Sequence, residues 1–258
     1  MILAGGKKLV FIDESTEVVI VSDVHIRSSQ DERHQLLIDV INSLNQPVRY
    51  FVLLGDIFDF CFGYSKFFKN EYSELANALL ELNKRGVKVI YLEGNHEFHS
   101  HKLNWPGVEF FLEDSIEISL DNYQKVLFMH GDLLAAPTKY LLFRKLIKSK
   151  LIINLARILP DHFFYYFALK FADTSRSMDQ YRSLDHAKII EHARRKIIEK
   201  SCDLFLFGHF HIPYAESLKE STRQQIFSCK SWNVPNLMLI DKNGNFSRRE
   251  LKMPNSRE

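Results

Sequence analysis

Short apolar runs rich in β-branched residues recur along the chain, and each ends abruptly in a cluster of polar residues. The runs are shorter than typical helices and do not alternate with polar residues, which is typical of strands buried on both faces. Each of five runs is followed directly by side chains that can bind a metal ion. These runs span residues 18–21, 50–54, 87–92, 126–129 and 204–207.

Two amphipathic segments separate the first three runs. Their apolar residues have helical spacing: Leu37, Val40, Ile41 and Leu44 in the first segment, then Leu75, Leu79 and Leu82 in the second. Asp31 is placed to cap the first helix, and Gly86 is placed to end the second. Strands that alternate with helices in this order predict a parallel sheet, whose ligands bind at the carboxyl ends of its strands.

The last part of the chain shows a different pattern. Residues 224–229, 233–241 and 246–252 read as short strands separated by turns. We predict that they form an antiparallel C-terminal sheet that closes a sandwich. The fold class is therefore α/β, with one domain spanning residues 1–258.

The interval between His130 and His209 carries no strand pattern. Residues 139–171 are helical in pattern, with seven lysines and arginines against one acid, Asp161, and they include an aromatic run at residues 163–167. One interpretation is a helical hairpin that packs its apolar face on the main domain. The other is a basic, apolar lid for an amphipathic anionic substrate or a membrane surface. We predict a helical cap insertion at about residues 137–183.

Composition limits the binding partners and the cellular compartment that we expect for this chain. The 258 residues carry a net charge of only +2, so nucleic acid is not an expected partner. Three cysteines without a Cys-x-x-Cys pair indicate a reducing compartment. We find no signal-peptide pattern and no apolar run of the roughly 18 residues that a membrane span requires. We therefore expect a cytoplasmic monomer that can still lie against a membrane surface.

The polar clusters after the five runs offer oxygen and imidazole ligands: Asp23, His25, Asp56, Asn95, His130, His209 and His211. Carboxylate, imidazole and amide groups suit a divalent ion such as Mn²⁺, Fe²⁺ or Zn²⁺, and they do not resemble a thiolate site. One such pair in a loop is weak evidence. Its recurrence at five strand ends indicates a metal centre, because histidines with a structural role would not need to recur there.

These clusters resemble the five-block signature of the calcineurin-like metallophosphoesterases. The matching blocks stand in the family's order: Asp23-x-His25, Gly55-Asp56, Gly94-Asn95-His96-Glu97, His130-Gly131 and Gly208-His209-x-His211. The resemblance implies a two-sheet β-sandwich flanked by helices and a phosphoester hydrolase activity.

The resemblance also implies two divalent metal ions, which we expect to be Mn²⁺, with iron or zinc as alternatives. It assigns them two sets of ligands: Asp23, His25 and His211 for one ion, and Asn95, His130 and His209 for the other. Asp56 would bridge the two ions, which together would activate water and bind phosphoryl oxygens. His96 would stand beside the metals as a catalytic acid or as a transition-state stabiliser.

Within the family, one branch matches further. The stretch from His130 to Leu134, followed by Tyr140-x-x-Phe143-Arg144, resembles the UDP-2,3-diacylglucosamine hydrolases of lipid A biosynthesis. That resemblance implies cleavage of a pyrophosphate to release UMP at the inner-membrane surface, with the cap holding acyl chains. The branch commonly has arginine where this chain has His96, so the alternative is a general phosphodiesterase or phosphatase that acts on a nucleotide, another lipid-linked substrate or a phosphoprotein.

Four residues are candidates for contacts with the amphipathic nucleotide-sugar lipid: Tyr140, Arg144, Ser175 and Arg176. For the first two, the alternative is ordinary helix packing beside a solvated cation.

Five residues near the predicted ligands complete the set. Asp59, Asp132 and Glu97 are expected to accept hydrogen bonds that orient ligands. His99 and His101 lie outside the family blocks, and we expect them to be solvated loop residues.

Overall fold

Two β-sheets packed face to face form the centre of the computed structural model. The structure describes residues 2–4, 7–9, 12–44, 48–122, 124–158, 166, 186–211, 214–219 and 222–252. The strands of the first sheet lie in this spatial order: β15 (Phe246–Glu250), β14 (Asn236–Asp241), β3 (Thr16–Val21), β4 (Tyr50–Leu54), β6 (Lys88–Leu92) and β8 (Val108–Phe111). Those of the second are β12 (Tyr214–Lys219), β13 (Thr222–Ser228), β11 (Leu204–Phe207), β10 (Lys125–Met129) and β9 (Ser115–Ser119).

Two small ribbons complete the strands. An antiparallel hairpin is formed by β1 (Ile2–Ala4) and β2 (Lys7–Leu9). A parallel pair near the sheet edge is formed by β5 (Cys61–Phe62) and β7 (Glu97–Phe98).

Helices cover both outer faces of the sandwich. The first sheet packs against α1 (Glu32–Ser43) and α3 (Ser73–Lys84), which follows the short α2 (Lys66–Glu71). The second sheet packs against α6 (His186–Lys200). The predicted helix–sheet–sheet–helix order is therefore confirmed.

Alternation within the buried strands produces these layers. In β3, Val18 and Ile20 enter the core between the sheets, whereas Val19 and Val21 enter the core beneath the helices. All four side chains are fully buried. The continuous apolar runs therefore reflect burial on both faces of each sheet.

Both predicted helix boundaries are confirmed. The Asp31 side chain accepts a hydrogen bond from the backbone N–H of Arg33 at the start of α1. Beyond the end of α3, Gly86 has a φ of +90° and its N–H bonds to the carbonyl of Asn83. Glycine reaches this left-handed conformation without the Cβ clash that other residues meet.

The C-terminal strands exist, but the prediction that they form one antiparallel sheet is wrong. β13 pairs in parallel with β11 in the second sheet, whereas β14 joins β3 in the first sheet. The physical reason lies in β14, whose alternating residues are buried on both faces. A strand of that kind is stable in the interior of a large sheet, and β15 takes the edge beside it.

Two helices follow β10 where the cap was predicted: α4 (Thr138–Ile147) and α5 (Lys150–Ile158). The limits of the cap insertion stay a prediction, since residues 159–165 and 167–185 lie outside the described part of the chain, and Ser175 and Arg176 with them. Within the ranges that the structure describes, no helix has the length and apolar character needed to cross a bilayer.

Candidate metal centre

The five polar clusters meet at one edge of the sandwich, where strands of both sheets end. Asp23 and His25 follow β3, Asp56 follows β4 and Asn95 follows β6 in the first sheet. His130 follows β10 in the second sheet, and His209 and His211 follow β11. Within the second sheet, Gly208 N–H bonds to the carbonyl of His130 at 2.8 Å. The loops of the two sheets are joined by the backbone N–H of His209, which donates to Oδ1 of Asp23 at 3.0 Å.

Strained backbone marks these loops. Positive φ values, which non-glycine residues rarely adopt, occur at five of the predicted ligands: Asp23, His25, Asp56, His209 and His211. Each left-handed step turns the chain sharply within its loop. Such strain persists only where the surrounding structure holds it, and it gathers at functional sites.

One cluster contains the three side chains predicted for the first ion. One ligand atom each from Asp23, His25 and His211 lies within 4.8 Å of the others. The Nε2 atom of His211 is 3.3 Å from Oδ1 of Asp23, although the two residues follow strands in different sheets. Ser22 Oγ donates to the other oxygen of Asp23 at 2.6 Å, which fixes the carboxylate.

A second cluster contains Asp56, His130 and His209, again with ligand atoms within 4.8 Å of one another. Asn95 adjoins it, because its Oδ1 atom is 3.0 Å from Nε2 of His130. The structure thus brings the second predicted set together around Asp56.

Asp56 also belongs to a third cluster, with His25 and His96. Its carboxylate therefore lies within reach of groups predicted for both ions, as a bridging ligand must. The Asp56 side chain is 2% exposed, and its Oδ1 accepts a hydrogen bond from the backbone N–H of His96 at 3.0 Å. The individual ligand assignments stay predictions.

The orientation of the imidazoles fits divalent ions. The Nδ1 atom of His130 is 3.1 Å from the carbonyl oxygen of Leu54, so we assign its proton there. A histidine that binds a metal ion must be neutral, and in that form the Nε2 lone pair faces two oxygen acceptors, Asn95 Oδ1 and Asp56 Oδ2, the latter at 3.3 Å. Three converging electron-pair donors repel one another unless a cation lies between them. His25 is arranged similarly, since its Nδ1 is 3.3 Å from Oδ1 of Asp59.

The charge balance points the same way. Burial alone would lower the pKa of His130, but the carboxylates of Asp56 and Asp23 hold it well above its usual range. Burial would raise the pKa of Asp56, yet the surrounding imidazoles hold it well below its usual range. The buried acids therefore attract positive charge to this centre.

At two positions beside the carboxylates, the close packing of the loops leaves room only for glycine. A Cβ atom at Gly94 would lie 2.2 Å from Oδ1 of Asp56. A Cβ atom at Gly208 would lie 2.5 Å from Oδ2 of Asp23. The glycines in these motifs therefore let neighbouring loops approach the carboxylates directly.

Glu97 organises two of the loops from beneath. Its fully buried carboxylate accepts hydrogen bonds from one side chain and four backbone N–H groups: Tyr91 Oη, and the N–H groups of Asp56, Ile57, Phe58 and Gly94. Burial and the neighbouring Asp56 raise the pKa of Glu97 to about 7, against the lowering effect of these bonds. Instead of orienting a ligand side chain, Glu97 fixes the backbone of two turns.

His96 lies beside the clusters with one ring nitrogen already engaged. Its Nδ1 atom is 2.7 Å from the backbone carbonyl of Asp59, so we assign the proton to Nδ1. The Nε2 atom lies 3.8 Å from Oδ2 of Asp56. This nitrogen is thus directed to the metal centre.

Two predicted substrate contacts are held by acids of the site loops. Tyr140 Oη donates to Oδ2 of Asp132 at 2.5 Å, and Arg144 Nε lies 3.6 Å from the same oxygen. Arg144 also donates to Asp114 at 3.2 Å. Asp132 therefore connects α4 with the loop that carries His130.

The expectation that His99 and His101 are solvated loop residues is met only in part, because both side chains are half-buried. Nε2 of His99 and Nδ1 of His101 are buried without a hydrogen-bond partner among the described residues. Burial lowers the pKa of both imidazoles. The packing of His99 beside Phe62 and Tyr64 could not be recognised from a polar stretch of sequence.

Comparison with known families gives one extended match. A family model described as calcineurin-like phosphoesterase matches residues 16–213 of the chain. That span includes all seven predicted metal ligands and His96.

Several curated proteins are similar over most of their length. The UDP-2,3-diacylglucosamine hydrolase of Haemophilus influenzae is 26% identical over 239 residues, which cover 88% of this chain and 95% of that protein. The protein of the same name from Blochmanniella pennsylvanica is 23% identical, with 84% and 88% covered.

Solved structures with a similar chain trace include a novel archaeal phosphodiesterase, with a TM-score of 0.44 and 15% identity. The match covers 91% of this chain and 99% of that one. They also include the Zn²⁺ complex of Vps29 from Entamoeba histolytica, with a TM-score of 0.46 and 12% identity, covering 93% and 94%.

Proposed function

Because the chain belongs to the calcineurin-like phosphoesterase family and is a metal-dependent hydrolase, we propose that it cleaves UDP-2,3-diacylglucosamine to UMP and 2,3-diacylglucosamine 1-phosphate. The curated relatives that carry this activity in their names support the substrate, over 80–88% of this chain for three of them. The proposal extends to two Mn²⁺ ions as cofactors and to a place in lipid A biosynthesis.

The observation that carries the substrate is the position and character of α4 and α5. Both helices follow directly from the loop of His130, and α4 contacts that loop through Asp132. Their exposed side chains include four leucines, Leu141, Leu142, Leu146 and Leu151, of which Leu142 is 63% and Leu151 71% exposed. An exposed apolar surface beside a phosphoester-cleaving centre suits a substrate that carries acyl chains.

The chain's own residues have distinct tasks in this reaction. When bound, the two divalent ions supply positive charge to the phosphoryl oxygens and activate the attacking water. Asp56 holds its buried carboxylate between the two ligand clusters. His96 keeps Nδ1 bonded to Asp59 and presents Nε2 to the centre, from which a protonated imidazole can donate to the leaving oxygen.

His96 also supports a second candidate function. Arginine binds phosphate but does not readily release a proton, whereas histidine can do both. An enzyme with histidine at this position can hydrolyse an ester with a poorer leaving group, such as the alkoxide of a nucleotide phosphodiester or of a phosphomonoester, because the imidazole can protonate the leaving oxygen. A general phosphodiesterase or phosphatase is therefore the alternative.

The test uses the full chain with Mn²⁺ and UDP-2,3-diacylglucosamine in mixed detergent micelles, with UMP release followed by chromatography. We expect UMP release that Asp56→Ala reduces by more than about 100-fold. Glu109→Gln, which changes an acid 47% exposed on β8, is the matched control and is expected to retain activity.

A parallel assay with bis(p-nitrophenyl) phosphate separates the two functions. Hydrolysis of this soluble diester without any UMP release contradicts the lipid substrate and supports the alternative.

The same proposal places the protein at the cytoplasmic face of the inner membrane as a peripheral monomer. Basic side chains beside exposed leucines suit an anionic bilayer surface, because each cation near the surface adds about 1 kcal/mol of attraction. Flotation with liposomes that contain phosphatidylglycerol tests this placement. Protein that stays unbound at low salt contradicts it.

A further inference from the structure

A buried ion pair ties the end of α4 to the loop of Asn95. The Nζ atom of Lys148 lies 2.8 Å from Oε2 of Glu93, whose side chain is 4% exposed. Lys148 itself is 24% exposed, so water screens this pair far less than an ion pair at the surface. Glu93 stands two residues before Asn95 and directly before the family block that begins at Gly94.

The other oxygen of Glu93 closes the loop on itself. Oε1 accepts a hydrogen bond from the backbone N–H of Ser100. The segment between Glu93 and Ser100 contains both Asn95 and His96. The bond from Ser100 to Glu93 therefore fixes the ends of the turn that carries these two side chains. Lys148 fixes the carboxylate that performs this closure.

The same helix holds a second site loop. Tyr140, Arg144 and Lys148 recur at intervals of four residues, so they share one face of α4. Tyr140 and Arg144 contact Asp132, which stands two residues after His130. The two loops meet where Asn95 Oδ1 lies 3.0 Å from Nε2 of His130. One helix face therefore contacts both loops whose side chains converge in the second cluster.

We propose that Lys148 is a positioning residue, which acts through Glu93 to hold Asn95 and His96 at the distance from His130 that hydrolysis requires. Displacement of α4 would release Glu93 and loosen the turn. The helix that bears the exposed leucines is thereby coupled to the chemistry of the centre. The inference rests on phosphoester hydrolysis at this centre and is independent of which lipid or nucleotide is the substrate.

The experiment compares Lys148→Met, Glu93→Gln and the double variant with the parent chain. Three quantities are measured: kcat and KM for bis(p-nitrophenyl) phosphate with Mn²⁺, Mn²⁺ affinity by calorimetry, and hydrogen exchange of the amides at 94–99. Lys148→Arg keeps the charge. Lys84→Met is the control, because Lys84 forms an ion pair of the same 2.8 Å length with Glu81 on an exposed face of α3.

We expect Lys148→Met to lower kcat or Mn²⁺ affinity about tenfold, the size of effect seen when a group that orients a ligand is removed. Exchange at 94–99 should become faster, while KM for the small diester changes little. Glu93→Gln and the double variant should show the same loss, because each breaks one shared contact. Lys148→Arg should restore most of the activity, and Lys84→Met should match the parent.

Two results would overturn the proposal. If Lys148→Met lowers activity while Glu93→Gln does not, Lys148 acts elsewhere and the Glu93 contact is irrelevant to it. If both variants lower only the free energy of unfolding, with kcat, Mn²⁺ affinity and exchange at 94–99 unchanged, the ion pair is structural. The exchange measurement needs no substrate, so it decides the matter even if the proposed lipid substrate is wrong.

Discussion

The Oε1 atom of Glu97 accepts a hydrogen bond from the backbone N–H of Ile57 at 2.7 Å. These residues belong to the turns after β6 and β4, so one carboxylate fixes the relative position of two site loops. A buried carboxylate surrounded by N–H groups is a compact way to hold such turns together, and it should do so most firmly above its pKa of about 7, since bonds to a charged acceptor are the stronger class.

Glu97→Gln should therefore be destabilising despite its unchanged shape. The new amide N–H₂ group would face backbone N–H donors that now point at a carboxylate oxygen. We expect a loss of about 2 kcal/mol or more in the free energy of unfolding, measured with urea, and weaker Mn²⁺ binding. A variant with unchanged stability and metal affinity would show that Glu97 does not organise these turns.

Two glycine substitutions should separate activity from stability. Gly94→Ala puts a Cβ atom 2.2 Å from Oδ1 of Asp56, so the carboxylate must move and Mn²⁺ binding should weaken markedly. Gly86→Ala meets open space, but its φ of +90° strains an alanine, so it should cost about 1 kcal/mol of stability. Calorimetric titration and urea unfolding measure the two effects. Weaker Mn²⁺ binding in Gly86→Ala but not in Gly94→Ala would contradict the conclusion that Gly94 makes room for the Asp56 carboxylate.

His34 should contribute to acid sensitivity. Burial lowers its pKa below 6.5, and its Nδ1 donates to the carbonyl of Ser29 at 3.1 Å. Below pH 6.5 the unfolded chain binds a proton there that the folded protein does not, so stability is complete above pH 6.5 and falls as the pH decreases.

We expect His34→Asn, which keeps a donor for Ser29, to make urea stability less dependent on pH below 6.5. One proton corresponds to at most about 1.4 kcal/mol per pH unit. Identical slopes for the variant and the parent would rule out this contribution.

The exposed leucines should contribute to lipid binding but not to the stability of the fold. Leu142→Ser and Leu151→Ser change side chains that are 63% and 71% exposed, so the free energy of unfolding should stay within about 0.5 kcal/mol of the parent. Liposome binding should fall and KM for the acylated substrate should rise. Ile198→Ser, 61% exposed on α6, is the matched control. Equal effects of all three variants would argue against a specific lipid surface on α4 and α5.

The sequence pattern was sufficient for the layers and for the residues at the strand ends. Runs such as 18–21 are apolar at every position because β3 is buried on both faces, and a strand of that kind ends where polar side chains can reach solvent or metal. Parallel pairing then brings the ends together. That reasoning needs only local patterns and the geometry of a sheet.

Partner choice between distant segments could not be obtained in this way. β14 pairs with β3 from the opposite end of the chain, and no local pattern distinguishes this neighbour from β13. The contact of Lys148 with Glu93 likewise could not be predicted from a local sequence pattern. Each is an ordinary charged residue in the sequence, and only the docking of α4 makes one of them buried.

Two of the clusters combine side chains from both sheets. Each of these two clusters includes a histidine from the last third of the chain. Asp23 and His25 need His211, and Asp56 and His130 need His209. On the ribosome, the first sheet's turns emerge long before β11 does, so a nascent chain cannot hold either mixed cluster together. The order of synthesis thus makes metal loading a late event, which follows completion of the sandwich.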